Sequence, residues 1–189
     1  MDLATMKLAC DATGTIVERI SPEQLDRPTP CTAWDVRALL NHLVGTLSLG
    51  AALLSDRAPA VAMAPGELPA ADVLDGDAAG AYRAGVDALL TAADGGALER
   101  AHTTPLGDMP GAILGGFTTL DIAVHGWDLA TATGQPADLD GRLAAHVLAF
   151  AEQTLATPES RAAGIGPAIA IAADAPVTQR LAAFLGRQT

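Results

Sequence analysis

Asp121-Ile-Ala-Val-His125 sets a carboxylate and an imidazole four residues apart, and Asp128 follows three residues later. On a helix, residues three and four apart share a face. A carboxylate oxygen and an imidazole nitrogen on one face are two ligands for a divalent metal ion. A third ligand is available in His42, the only ionisable residue in the run from Ala38 to Ser55, with Gly45 and Thr46 one turn on leaving space beside it. If the two segments pack together, His42, Asp121 and His125 offer two nitrogens and one oxygen, with coordination positions left for water or substrate. The same spacing admits another reading, in which Asp121 orients His125 by a hydrogen bond and His42 is a hydrogen-bonded core residue. Asp128 reads either as the acceptor that fixes the tautomer of a metal-binding His125 or as a solvated acid. Trp34 and Trp127, the two tryptophans, flank these segments and read as pocket walls or as buried indoles.

The other reactive side chains point to less. His102 falls in a turn-rich stretch, and His146 sits on a helix with no carboxylate at helical spacing. Cys10 and Cys31 form no Cys-x-x-Cys pair and read as reduced packing residues. No Gly-x-Ser-x-Gly elbow is present, which argues against a Ser-His-Asp hydrolase. A Gly-x-Gly-x-x-Gly turn after a strand and a Gly-Lys-Ser/Thr loop are also missing, which argues against nucleotide binding.

Helices must position these groups. Leu3, Met6, Cys10, Thr13, Val17 and Ile20 recur at helical spacing and predict a first helix over Asp2–Ile20. The prolines at 22, 28 and 30 make a connector with a one-turn helical start at Ser21-Pro22-Glu23-Gln24. Thr32-Ala-Trp-Asp35 has the form of a capping box and predicts a second helix from there to Ser55, with Cys31 stapling to Val36. Arg57 to Gly76, with Pro59, Pro65 and Pro69, reads as a loop. A third helix is expected over Asp77–Asp94, with Tyr82, Val86, Leu89 and Leu90 inward and Gly95-Gly96 ending it. Leu98 to Pro110 is turn-rich and reads as a loop or a short extended excursion. A fourth helix follows over Gly111–Thr133 and a fifth over Leu139–Leu155. Pro167-Ala-Ile-Ala-Ile-Ala reads as a short strand or extended run, and Val177–Leu185 as a last short helix. The expected architecture is all-α, one domain over 1–189, with a helical bundle at 1–157 and a C-terminal extension at 158–189.

Composition narrows the partners. The chain has 189 residues with a net charge of −11 and is 50% hydrophobic but only 3% aromatic. Excess acid and a single lysine exclude a phosphate-binding groove, so no nucleic-acid partner is expected. The 18 residues from Ala38 to Ser55 carry no charge, yet they include Asn41, His42 and Thr46 and lack a basic flank, so a buried helix is expected rather than a membrane span. The first ten residues have no basic-then-apolar pattern, and a cytoplasmic protein is expected. A homodimer through exposed helix faces is left open.

Two stretches carry a family resemblance. Thr29-Pro-Cys-Thr-Ala-Trp-Asp-Val-Arg-Ala-Leu-Leu-Asn-His42-Leu-Val-Gly45 and Asp121-Ile-Ala-Val-His125-Gly-Trp-Asp-Leu-Ala-Thr-Ala-Thr-Gly134 resemble the DinB/YfiT-like metalloenzymes. The closer likeness is to an actinobacterial branch related to the metal-binding domain of mycothiol-dependent maleylpyruvate isomerase. The tail Ala173-Asp-Ala-Pro-Val-Thr-Gln-Arg-Leu-Ala-Ala-Phe-Leu-Gly-Arg187 is similar to the end of that branch. The resemblance implies an up-down-down-up four-helix bundle with a metal, zinc first and nickel second, held by His42, Asp121 and His125. It also implies that the metal activates a low-molecular-weight thiol such as mycothiol for transfer or isomerisation on a small electrophile. The isomerase has glutamate at the position of Asp121 and a larger C-terminal domain, so maleylpyruvate isomerisation itself is not the expectation. A non-catalytic metal- or ligand-binding bundle and a metal-dependent hydrolase remain the alternative classes.

Overall fold

The computed structural model describes residues 1–58, 63, 66–104, 107–161 and 165–188, with the Glu159 side chain left aside. The expected loop prolines Pro59 and Pro65, the tip of the turn-rich stretch at 105–106 and residues 162–164 of the expected extension lie outside them. The fold is mostly helical with one small two-stranded sheet.

Helix α1 (Leu3–Val17) starts at Asp2, whose carboxylate accepts from the Thr5 amide at 2.8 Å. It ends short of Ile20 because the amides of Arg19 and Ile20 turn to the carbonyls three residues back, a tightened last turn. A one-turn 3-10 helix (Pro22–Gln24) follows, as the proline predicts. Helix α2 (Val36–Leu54) corrects the expected start. Asp35, not Thr32, is the N-cap and accepts from the Ala38 amide at 2.8 Å. Residues 31–34 form a turn closed by the Trp34 amide on the Cys31 carbonyl, while the amides of Val36 and Arg37 bond back to Arg27 and Leu25. Those first-turn donors are thus satisfied by the proline connector, and Thr32 is left exposed.

Helix α3 (Ala78–Ala93) is capped by Asp77 and buries Tyr82 and Leu89, with Val86 and Leu90 partly buried. The turn-rich stretch is an antiparallel hairpin of β1 (Ala101–Thr104) and β2 (Gly107–Pro110), so the all-α expectation fails at this one place. Helix α4 (Gly111–Thr133) has the expected bounds and stops at Gly134, whose φ of 74° suits glycine. Helices α5 (Gly141–Thr154) and α6 (Val177–Phe184) follow. The run from Pro167 forms no strand; its Ile169 amide bonds the Ala183 carbonyl, which lays it along α6.

Packing brings the candidate residues together. Helix α1 lies on α3 and α4, α2 lies on α3 and α4, and α5 joins α4 to α6. Leu39, Leu40, Leu43, Leu47, Tyr82, Leu89, Ile122 and Leu129 fill the core between them. Helices α1 and α4 approach closely at Gly126, where a Cβ would run into Thr13, whose hydroxyl donates to the Ile122 carbonyl at 3.0 Å. Among the described residues α2 alone is long and apolar enough to cross a membrane, and 67% of its most apolar window is buried inside the fold.

Candidate metal centre

The α2–α4 contact sets His42 opposite Asp121 and His125. Their ligand atoms lie within 4.8 Å of one another. Asp121 bridges the two rings: its Oδ2 is 2.9 Å from His42 Nε2, and its Oδ1 is 3.3 Å from His125 Nε2. Both histidines are buried, at 1% and 4% exposure, whereas the Asp121 side chain keeps 28%. The centre therefore opens to solvent on its carboxylate side.

Each imidazole is gripped from behind. His42 Nδ1 lies 2.6 Å from the backbone carbonyl of Glu67, which can only accept, so the ring proton sits on Nδ1. His125 Nδ1 donates to Asp128 Oδ2 at 2.9 Å. In both rings Nε2 is the nitrogen turned toward the centre, the orientation that a metal-ligating histidine takes when its other nitrogen is bonded to a carbonyl or carboxylate. Thr46 donates to Asp121 Oδ2 at 2.7 Å and fixes the carboxylate. Trp34, half-buried, stacks on His42 with ring centroids 4.5 Å apart and reaches His125 at 5.9 Å. Trp127 is buried about 200° round α4 from His125, and among the described residues the ring contacts to the two histidines come from Trp34 and from each other.

Electrostatics favour positive charge at this place. Burial opposes ionisation of Asp121, but His42 and His125 outweigh it and hold the carboxyl well below its ordinary range. Burial likewise opposes charge on His125, but Asp121 and Asp128 override it and raise its pKa to about 9. Two Nε2 atoms turned to one carboxylate are matched either by ring protons or by a cation in their place. The donor set of two imidazoles and a carboxylate fits a divalent ion of the zinc or nickel kind.

Behind His125 stands a group that the sequence reading passed over. Arg187, 3% exposed, donates from Nη2 to Asp128 Oδ2 at 3.0 Å and from Nε to Oδ1 at 3.3 Å. Burial works against the ionisation of Asp128, but His125 and Arg187 together lower its pKa. Cys31 is also buried beside His125 and Asp128, close enough for the three to form a second ligand set. Burial raises its thiol pKa, and the guanidinium already engages both oxygens of Asp128, so this set is poor for a cation. The Thr46 hydroxyl and the Glu67 carbonyl were likewise missed as partners. Spacing could have raised Thr46, one turn beyond His42, but no pattern marks a backbone carbonyl in a loop.

The remaining histidines stand apart. His102 is buried in β1 and bonds Asp56 and the Ala97 carbonyl, tying the hairpin to the end of α2. His146 is exposed on α5. Cys10 is buried in α1.

Comparison with known proteins bears on this centre. The family model described as the mycothiol maleylpyruvate isomerase N-terminal domain matches residues 6–130, a stretch that includes all three candidate ligands. Two uncharacterized proteins of Mycobacterium tuberculosis, from the CDC 1551 / Oshkosh and the ATCC 25618 / H37Rv strains, are each 35% identical over 181 residues. Both alignments cover 95% of this chain and 93% of the relative. No solved structure gives a significant match.

Proposed function

The chain belongs to the family of the mycothiol maleylpyruvate isomerase N-terminal domain, and from that premise we propose that it is a metal-dependent enzyme using a low-molecular-weight thiol, mycothiol, on a small electrophile. The metal ligands are His42, Asp121 and His125, carried by an up-down-down-up four-helix bundle, and zinc is the first candidate ion with nickel the second. One observation carries this reading: both imidazoles have Nδ1 held by an acceptor and Nε2 turned to the same carboxylate. A bound divalent ion supplies stabilisation of a thiolate at neutral pH, as it does for a coordinated water.

The chain's own residues prepare that chemistry. Glu67 and Asp128 accept at Nδ1 of the two rings, so Nε2 is the atom that His42 and His125 turn to the centre, and the Nε2 proton of the charged His125 would leave as an ion takes its place. Thr46 orients Asp121, and the partly exposed carboxylate leaves a way in for the thiol and electrophile. Trp34 forms an apolar wall over His42 and limits water on that side. The site calls for a small-molecule substrate and no nucleic-acid or membrane partner, consistent with a cytoplasmic enzyme.

Metal analysis of the purified protein tests the centre. Wild type is expected to retain about one zinc or nickel, and His42→Ala and His125→Ala to lose it; full occupancy in both variants overturns the assignment. Thiol transfer from mycothiol to a panel of small electrophiles then tests the chemistry. A metal-loaded, folded protein with no turnover would favour a binding module, and turnover without thiol would favour a hydrolase.

A further inference from the structure

Arg187 lies near the end of the described chain, outside the residues 6–130 that match the family model, yet its guanidinium is buried against the carboxylate behind His125. We propose that Arg187 is a positioning residue of the metal centre, acting through Asp128 to hold His125 with its proton on Nδ1 and its Nε2 toward the ion. This inference rests on the metal-centre reading above.

The geometry distinguishes positioning from simple anchoring of the tail. Asp128 Oδ2 accepts from both His125 Nδ1 and Arg187 Nη2, at 2.9 and 3.0 Å. One oxygen thus receives both donors, and a shift of the guanidinium moves the acceptor that orients the ring. The fork contact through Nε to Oδ1 fixes the carboxylate plane, which a single bond to His125 would leave free to rotate. Asp128 has no exposure, and a fully buried carboxylate is retained as an ion only when paired and hydrogen-bonded. Arg187 meets that need with a charge that stays on at any working pH.

Arg187 is in turn placed by how the tail packs. Its amide bonds the Ala182 carbonyl at 2.9 Å, and its Nη1 donates to the Leu185 carbonyl at 2.9 Å. Gly186 turns the chain there with φ at 84°, and Leu181 and Leu185 are buried in the core. The last helix therefore delivers one cation to one carboxylate. The matched family region holds the ligands, and the segment beyond it holds the residue that sets the orientation of one of them.

The test uses the full chain as wild type, Arg187→Met, Arg187→Lys, Asp128→Asn and the Arg187→Met/Asp128→Asn double variant. Zinc affinity is read by competition with a chromophoric chelator, and the His125 ring by imidazole 15N correlation spectra of the zinc-loaded protein. Loss of a residue that orients a ligand typically weakens metal binding by about 10–100-fold, so Arg187→Met and Asp128→Asn should each do so. Arg187→Met should also shift the His125 Nδ1–H resonance toward that of a weaker hydrogen bond. Arg187→Lys should recover part of the affinity, and the double variant should be no worse than the weaker single, because both act along one chain of contacts. The double variant buries no unpaired charge and keeps the test usable if Arg187→Met folds poorly. Unchanged zinc affinity and an unmoved Nδ1–H resonance in the Arg187 variants overturn the inference, whatever their thermal stability. Zinc retained by His42→Ala would overturn the metal-centre reading instead.

Discussion

Raising the pH should weaken the metal-free fold and strengthen its hold on zinc, and both effects come from one proton on His125. In the folded chain burial opposes that proton, but Asp121 and Asp128 raise the ring's pKa from 6.5 to about 9. A gap of that size corresponds to roughly 3 kcal/mol at 1.36 kcal/mol per pH unit. Because the folded value lies above the unfolded one, the contribution is fully present below about pH 6.5 and is lost as pH rises through about 9. Asp121 and Asp128 have lowered values, so their contributions are lost only in acid and stay constant across this window. Arg187 remains charged throughout it, and the raised Cys31 thiol titrates above its ordinary 9.0. Zinc at Nε2 needs the same proton gone, so apparent affinity should tighten by about tenfold per pH unit on the way up. Urea unfolding with a chelator, compared between about pH 6.5 and about pH 9.5, reads the first effect; His125→Gln serves as the reference that subtracts every other titration. Zinc titrations between about pH 6 and about pH 8 read the second. A wild-type minus His125→Gln difference that stays flat or grows with pH would refute the reasoning, as would zinc affinity independent of pH.

Three other substitutions have defined outcomes. Asp121→Asn removes the charge shared by the two rings, so zinc should be lost on dialysis and the alkaline fall in metal-free stability should shrink, both read by the assays above. Gly126→Ala sets a methyl against Thr13 at the α1–α4 contact and should cost about 1–3 kcal/mol in urea unfolding. Tyr82→Phe removes the buried donor to the Cys10 carbonyl and should cost about 1 kcal/mol, with the centre's zinc affinity unchanged.

The legible parts of the fold were those decided locally. Helix α4 was readable to its last residue because Gly134 takes a left-handed conformation and Gly111 opens a clean apolar pattern. The start of α2 was not, because Thr32 and Asp35 are both good caps and the choice between them depended on amides being satisfied by Leu25 and Arg27 across the proline connector. The hairpin was legible as a turn-rich stretch with a short extended excursion but not as two paired strands, since strands of four residues are too short to display a period. At the centre, the helical spacing of 121, 125 and 128 put three groups on one face, and packing of α2 against α4 brought His42 to them. Arg187 escaped notice because an arginine in a polar tail ordinarily lies in water; only the docking of α6 buries it. The Glu67 carbonyl carries no sequence signal at all, as every residue offers the same backbone atom.

For the proposed metal centre, the uneven burial also bears on how an ion would enter. The two imidazoles are held from behind by protein groups, and Asp121 alone of the three keeps a solvent-facing side. The apolar residues that pack α2 against α4 do not include the three candidate ligands, so a metal bound there would load a receptacle that the core already shapes, unlike small domains that fold only around their metal. In the proposed centre, an ion would then enter and leave on the Asp121 side, where the carboxylate faces solvent.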